Sequence, residues 1–327
     1  MKIAVTGASG HVGNVLVNDL LNAGHEVTVL LHKGTIELDH LPVKSVKGDV
    51  LDENSLVALM TGVEAVIHAA AVISISGDSD GMLRKVNVQG VELMLKTALK
   101  MNVKKFVHVS SIHAFRQLPS DVPLNESRTL ADQSAPAYDL SKRDGQLLAL
   151  SFAEKGLDVT IVNPTSIVGP PDYKPSLMGQ AIINLCNGKV PALIPGGFDF
   201  VDVRDVSTGI INALYNGKKG NCYLLAGKWH SITDIAKMLS AISGRKINPP
   251  LIPEWVARIG LPFTKAAAMI TGNPPAYTKE SIDALMEGNR MIDASSAKRE
   301  LNFYPRPFEE TLADTYKWFV EKASIKK

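Results

Sequence analysis

This 327-residue chain has little cysteine, almost no net charge and no long apolar run. Only Cys186 and Cys222 occur, without metal-ligand spacing, which excludes a disulfide framework and fits a reducing compartment. Lys and Arg number 35 against 33 Asp and Glu, a formal charge of +2. No field of one sign therefore marks nucleic acid or an acidic membrane as the main partner. No uninterrupted apolar stretch reaches the length of a membrane span. The first residues read as a strand, not as a charged segment leading into an apolar core, so no signal peptide and a cytoplasmic location are expected. The histidines lack zinc spacing, so no metal is expected, and His108 and His113 read as core and pocket-wall residues. There is no internal repeat and no low-complexity tract.

What the chain does have is alternation. Apolar runs that read as buried strands occur at Lys2–Thr6, Val27–Leu31, Ala65–His68, Phe106–Ser110 and Thr160–Asn163, with a weaker one at Val43–Val46. Segments of helical periodicity, Val12–Asn22, Glu53–Met60, Met82–Leu99 and Tyr138–Ala153, separate most of them, with Gly24 and Gly156 as helix stops. Such βα alternation predicts an α/β fold with a doubly wound parallel sheet. After Pro164 the regularity breaks into a Gly/Pro-rich stretch through Gly197, followed by shorter helical patterns near Ser231–Ser243, Glu254–Ile270, Thr278–Glu287 and Pro307–Lys322. The expected division is a nucleotide-binding domain over 1–164, with sheet contributions from about 200–226, and a smaller, mainly substrate-binding subdomain over 165–327. Ser74–Asp80 is expected to be a mobile loop after a strand, where substrates often sit in open α/β sheets.

Thr6-Gly7-Ala8-Ser9-Gly10-His11-Val12-Gly13 joins the first strand to the first helix. Gly7 allows the tight turn, Gly10 lets backbone approach a pyrophosphate, and Gly13 lets the helix lie close on the sheet with its N–H-rich end toward the anion. Strand before and helix after make this Rossmann-type turn a dinucleotide-phosphate site. At the end of the second strand, where an acidic residue would bond the ribose of NAD, stands Leu31, followed by His32 and Lys33. Two potential cations and no carboxylate favour NADP(H) over NAD(H).

Tyr138-Asp139-Leu140-Ser141-Lys142 puts a phenol and an ammonium on one helix face, one turn apart. The ammonium is expected to lower the tyrosine pKa from about 10 and make it a competent acid or base. Upstream, the hydroxyls of Ser110 and Ser111 end a strand, where one can bond an oxygen on which charge develops.

With these groups in register the chain resembles the extended short-chain dehydrogenase/reductase family along nearly its whole length, in the motifs TGASGHVG, GDV, HAAA, HVSSIHAF, YDLSK, NPTSIVGP and FVDVRDV. The resemblance implies that Tyr138 exchanges a proton with the substrate oxygen while hydride moves between nicotinamide and the carbonyl carbon, that Lys142 also holds the nicotinamide ribose, and that Ser111, in register with Phe115, is the catalytic hydroxyl with Ser110 as the alternative. It further implies that Asp49 and Val50 flank the adenine, and that Ala69 and Ala70 line the ribose-phosphate path with a backbone contact from His68. Pro164 and Ser166 then meet the nicotinamide, Ser9, His11 and Val12 line the phosphate turn, and Asn87 has a structural or water-holding role. Asp202, Arg204 and Asp205 are expected to cap and brace a helix start.

NPTSIVGP, with Asn163 where many sugar-nucleotide members carry arginine, and the C-terminal run Arg299–Pro307, resemble the dihydroflavonol 4-reductase and 3β-hydroxysteroid dehydrogenase branch. That implies an enzyme interconverting a ketone and a secondary alcohol on a mostly apolar, cyclic small molecule. Glu254–Ile270, with Arg258 and Lys265, reads as a core-packed helix or a lid over such a substrate. Two readings stand against this one: a nucleotide-sugar epimerase or dehydratase with tightly bound NAD(P), and a non-catalytic NADP(H)-binding protein, against which the intact Ser111, Tyr138 and Lys142 argue. The helices Met82–Leu99 and Tyr138–Ala153 resemble those of a four-helix dimer interface, which implies a homodimer.

Overall fold

A computed structural model describes residues 1–32, 38, 40–74, 77–271 and 278–325, except for the side chains of 263–271. Seven parallel strands form the main sheet: β1 (Lys2–Thr6), β2 (Glu26–Leu31), β3 (Lys44–Lys47), β4 (Ala65–His68), β5 (Lys105–Val109), β6 (Val159–Pro164) and β9 (Cys222–Leu225). Their order is β3-β2-β1-β4-β5-β6-β9, so the chain winds outward from β1 in both directions, a Rossmann-type doubly wound α/β arrangement. The expected strands are all present, shifted by a residue at some ends. A second sheet, in the order β10-β8-β7, holds β7 (Ser166–Val168), β8 (Gly197–Asp202) and β10 (Lys228–Ser231).

The strands are buried on both faces, which explains why they read as continuous apolar runs. In β1, Ile3 and Val5 enter one core and Ala4 the other. The first core lies under helices α1 (His11–Asn22) and α7 (Val203–Asn216). The second lies under α2 (Glu53–Met60), α4 (Val91–Lys100) and α5 (Ala137–Glu154). Met82–Leu99 was expected to be one helix; it is α3 (Met82–Arg84), a π segment over Lys85–Gly90, and α4. Within that segment the amide of Asn87 is engaged: Nδ2 donates to the Val72 carbonyl and to Ser141 Oγ, and Oδ1 accepts from the Val72 N–H. The widened turn thus clips the strand exit after β4 to α5, a local role that periodicity does not carry.

The later chain adds α6 (Leu177–Cys186), α8 (Ile232–Ser243), α9 (Glu254–Thr271), α10 (Lys279–Glu287), α11 (Ser295–Leu301) and α12 (Phe308–Glu321). Asp202 caps α7 by accepting from the Arg204 N–H at 2.8 Å. It also takes both ends of the Arg204 guanidinium and the Thr311 hydroxyl, while Asp205 holds Arg306. These bonds tie the start of α7 to α12 and the segment before it.

Of the expected loop Ser74–Asp80, residues 75 and 76 lie outside the described residues; Asp78 accepts from the N–H groups of Leu83 and Arg84 and so anchors the loop's end. On α9, Trp255 and Ile259 are 65% and 63% exposed. That face is not packed on a core, while Ala257 and Leu261 on the same helix are; the side chain of Lys265 is outside the described residues.

One pair in the sheet is unusual in composition. His68 on β4 and His108 on β5 are register partners, stacked with ring centroids 5.7 Å apart and both buried. Burial, helped by the nearby Lys142 charge, pushes His68 down to about 3; burial, His68 and Lys142 push His108 well below its usual value. Both rings are neutral in the fold and charge only on unfolding. Folding stability should therefore fall as pH drops below about 6.5, by about 1.4 kcal/mol per pH unit for each ring. His108 makes no hydrogen bond through either nitrogen, so His108→Phe is expected to keep the fold. It should remove about half of the histidine part of this slope in urea titrations between neutral and mildly acid pH; an unchanged slope would show that His108 is protonated in the fold.

Candidate active site

The turn between β1 and α1 is set by backbone contact. Gly7 has φ +73°, and a Cβ on it would fall 2.6 Å from the backbone of Ala69 and Ala70; one on Gly13 would fall 2.0 Å from the Gly7 carbonyl oxygen. Both positions therefore require glycine. Gly10 is the N-cap of α1 and supplies no side-chain cap, and the first turn holds no acidic residue. The leading N–H groups of α1 and its dipole are thus free to meet an anion. Ser9, Gly10, His11 and Asn14 form one wall of a cleft of about 120 Å³ whose other wall is Pro171–Lys174. His11 Nε2 bonds the Gly169 carbonyl oxygen at 2.7 Å and holds the loop after β7 against the turn. Val12 is half-buried behind it.

At the ends of β2 and β3, His32 Nδ1 lies 3.0 Å from Asp49 Oδ2, and Asp49 Oδ1 accepts from the Leu51 N–H. One of the two expected cations thus has its own carboxylate. The other, Lys33, lies outside the described residues. Val50 is buried nearby against the second core. His68 sends Nδ1 to Thr6 Oγ1 at 2.7 Å, and Ala70 N–H donates to the same oxygen, so His68 and the Ala69–Ala70 backbone are locked together beside Gly7.

Tyr138 and Lys142 open α5. The Ser111 hydroxyl lies beside the Tyr138 phenol and favours its ionised form, and the Lys142 ammonium donates to the Val109 carbonyl at 3.3 Å. The electrostatics correct the sequence expectation. Burial pushes the phenol up to about 12; the Ser111 bond opposes this and the neighbouring Asp139 charge adds to it. Lys142 does not lower it. Burial instead brings Lys142 itself down to about 8, because desolvation disfavours its charged form.

The two serines separate. Ser110 Oγ donates to Gln146 Oε1 at 2.8 Å and is 3% exposed, turned away from the phenol that Ser111 engages. Asn163 Nδ2 donates to the Ser111 carbonyl at 2.8 Å and to the same Gln146 oxygen at 2.7 Å, and Gln146 Nε2 reaches Cys222 Sγ at 3.6 Å. This buried network joins β5, β6, β9 and α5 under the site. Beyond it, Pro164 ends β6 and Ser166 starts β7. Thr165 donates to buried Asp199 at 2.7 Å, as does the Gly227 N–H at 2.8 Å; burial still pushes that carboxyl up to about 6.

Sequence reading missed Gln146, Asp139 and Asp199. Gln146 follows Lys142 by four residues and Tyr138 by eight, so the helical repeat places it on the same face. Asp199 lies between Phe198 and Phe200 in β8, and no local sequence pattern marks it. Among the described residues no group of three or more His, Cys, Asp or Glu is placed to hold a metal, and no helix is long and apolar enough to cross a membrane.

Comparison with known proteins places these features. A model described as the NAD dependent epimerase/dehydratase family matches residues 3–226. "Sterol demethylase protein B" of Methylococcus capsulatus is 34% identical over 99% of this chain and 100% of its own length. A "putative dihydroflavonol 4-reductase" of Synechocystis is 30% identical, covering 98% and 95%, and a dTDP-glucose 4,6-dehydratase of Streptomyces antibioticus 27%, covering 98% and 92%. The crystal structure of gox2253 superposes with a TM-score of 0.86 at 29% identity, covering 99% of both chains.

Gln146→Leu should test the buried network. It strands the Ser110 hydroxyl and one donor of Asn163 in an apolar setting, at a cost of about 1–3 kcal/mol each, so thermal unfolding should shift down by several degrees. A shift within error would show that the network does not stabilise the fold.

Proposed function

The chain belongs to the NAD dependent epimerase/dehydratase family, an enzyme family, and from that premise we propose that it is an NADP(H)-dependent oxidoreductase interconverting a ketone and a secondary alcohol on a medium-sized, mostly apolar cyclic substrate. The observation that carries this reading is the set Ser111, Tyr138 and Lys142, with Ser111 and Lys142 buried, Tyr138 half-buried and the serine hydroxyl beside the phenol. The full-length likeness to proteins named for a sterol and for a dihydroflavonol supports the substrate class.

The glycine turn fits a dinucleotide: Gly7 and Gly13, where a Cβ would strike the backbone of Ala69–Ala70 and of Gly7, let the turn close tightly under an uncapped helix N-terminus that can take the phosphates. Gly7, Ser9, Gly10, His11, Val12 and Gly13 would hold the pyrophosphate, Asp49 and Val50 the adenine, and Ala69, Ala70, Pro164 and Ser166 the path to the nicotinamide. Bound there, the dinucleotide supplies or accepts the hydride. The NADP(H) preference rests on Leu31 standing where a ribose-binding acid would, and on His32, whose Nδ1 lies 3.0 Å from Asp49. In this reading residues 1–164 with β9 carry the cofactor and 165–327 mainly the substrate, in a cytoplasmic protein.

In reduction, Tyr138, protonated at all working pH values, donates its proton to the carbonyl oxygen as the hydride arrives at carbon. Ser111 donates a hydrogen bond to that oxygen and holds it beside the phenol. Lys142, charged over most of the neutral range, would hold the ribose and adds positive potential where the oxygen becomes negative. Asn87, with its amide committed to Val72 and Ser141, supports the strand exit and does not touch the reacting atoms. A nucleotide-sugar epimerase or dehydratase is the second reading, supported by the full-length relative named as a dTDP-glucose 4,6-dehydratase.

NADPH should protect the protein against thermal unfolding more than equal NADH, and a dihydroflavonol or 3-ketosteroid should then support NADPH consumption. Greater protection by NADH would remove the NADP(H) preference. Protection by a dTDP- or UDP-sugar without net NADPH consumption would favour the second reading. Tyr138→Phe should lower kcat by about 10² to 10⁴-fold with the fold intact; full activity in that variant would end the oxidoreductase reading.

The homodimer we place on α4 and α5, where Leu99 and Leu147 are 36% and 47% exposed. Sedimentation at micromolar protein should give twice the chain mass, and a monomer would refute it.

A further inference from the structure

The cleft between the glycine turn and the loop after β7 carries a lysine to which the mechanism assigns no part. The cleft holds about 120 Å³, with Ser9, Gly10, His11 and Asn14 on one wall and Pro171–Lys174 on the other. The glycine-turn wall brings no permanent cation. No lysine or arginine occurs from Ile3 through Asn22, and His11 has committed Nε2 to the Gly169 carbonyl. The dipole of α1 contributes only about half a positive charge, whereas a dinucleotide carries a negative charge on each phosphate of its diphosphate.

On the opposite wall the acid is already engaged: Asp172 is 3% exposed, and its carboxylate accepts from the Ser176 N–H at 2.9 and 3.0 Å and from the Ser176 hydroxyl at 2.8 Å. Lys174 is exposed, and among the described residues that line the cleft it is the one lysine or arginine. The strap that carries it is fixed along its length. His11 pins Gly169, Trp318 Nε1 of α12 donates to the Asp172 carbonyl at 3.4 Å, and the Tyr173 ring meets Trp318 edge-on with centroids 5.1 Å apart. The Lys322 ammonium lies over both rings, 5.5 Å and 4.8 Å from the Tyr173 and Trp318 centroids. A Cβ on Gly179 would fall 2.2 Å from Asp172 Oδ2, so α6 closes against the same strap. A cation on a strap held this way meets a ligand with little loop ordering left to lose.

We infer that Lys174 is the counter-charge for the dinucleotide's diphosphate, a binding residue that the later half of the chain supplies to the glycine turn. The inference rests on the dinucleotide site proposed above. The N–H groups at the start of α1 donate to the phosphate oxygens from one wall, and the Lys174 ammonium donates from the other. The strap is anchored on α12, so cofactor binding ties the elements after β7 to the nucleotide half through one more charge pair. NADPH and NADH carry the same diphosphate, and Lys174 therefore adds affinity for both without adding preference between them. Because the lysine is exposed, its contribution falls as salt rises.

The test is titration calorimetry on the full chain, with NADPH, NADH and ADP-ribose as probes, for wild type, Lys174→Met and Lys174→Arg at low and at physiological salt. Lys174→Met should weaken all three probes by nearly equal factors of about tenfold, and should flatten the salt dependence of their binding. Lys174→Arg keeps the charge and should stay within about threefold of wild type. Without ligand, Lys174→Met should unfold at the wild-type temperature, because the side chain it replaces is exposed. Unchanged affinity for all three probes in Lys174→Met would overturn the inference. A loss confined to NADPH would also overturn it, by placing Lys174 on the ribose 2′-phosphate. A wild type that binds none of the three would instead remove the dinucleotide reading itself, and the inference with it.

Discussion

The amide of Asn163 is the joint on which the site depends. From the end of β6 it donates to the Ser111 carbonyl and to Gln146, while Gln146 also takes the Ser110 hydroxyl and reaches Cys222 on β9. Two adjacent serines on one strand end are thereby pointed differently, one into a closed polar network and one toward the phenol. A side chain without two donors at 163 would leave either the Ser111 carbonyl or the Gln146 oxygen short of a partner in a dry interior. The register of β5, β6 and β9 is consequently coupled to the rotamers that face the reacting atoms.

Desolvation rather than mutual attraction sets the charges around that joint. The phenol of Tyr138 is driven toward its neutral form, and Lys142 toward the edge of the neutral range. Beneath them the stacked His68 and His108 stay uncharged, so the ammonium of Lys142 has no cation beside it in the sheet. His113 differs because Asp139 faces it. The outcome at neutral pH is a protonated phenol, a charged lysine and a histidine held up by a carboxylate, three neighbouring groups set by their depth and their partners.

The second sheet and the helices after it share a core of their own, built from Val168, Phe200, Leu239, Leu312 and Phe319, and Val201 of β8 enters the first core beside β1; charge pairs add to this packing. Asp202 and Asp205 hold Arg204 and Arg306 at the start of α7, and Asp199 ties Thr165, next to Pro164, to Gly227. Arg258 of α9 pairs with Glu254 and Asp283, which orients that helix while leaving Trp255 and Ile259 in solvent. These directional bonds fix how the elements after β7 sit on the apolar core they share.

The primary sequence by itself determined the sheet, the glycine turn and the Tyr138–Lys142 pair, because each is a local pattern. Strands buried on both faces must be continuously apolar, a turn under a phosphate must have glycine where a Cβ would strike backbone, and two groups four residues apart share a helix face. What only the tertiary structure decided depended on groups distant in the chain: which serine lies beside the phenol, the direction of the Tyr138 shift, the π segment at Asn87, the pairing of His32 with Asp49 and the contact of His113 with Asp139. Each is settled by a partner brought from another strand or helix and by how much water is excluded there. Neither the spacing nor the identity of the residues encodes that depth.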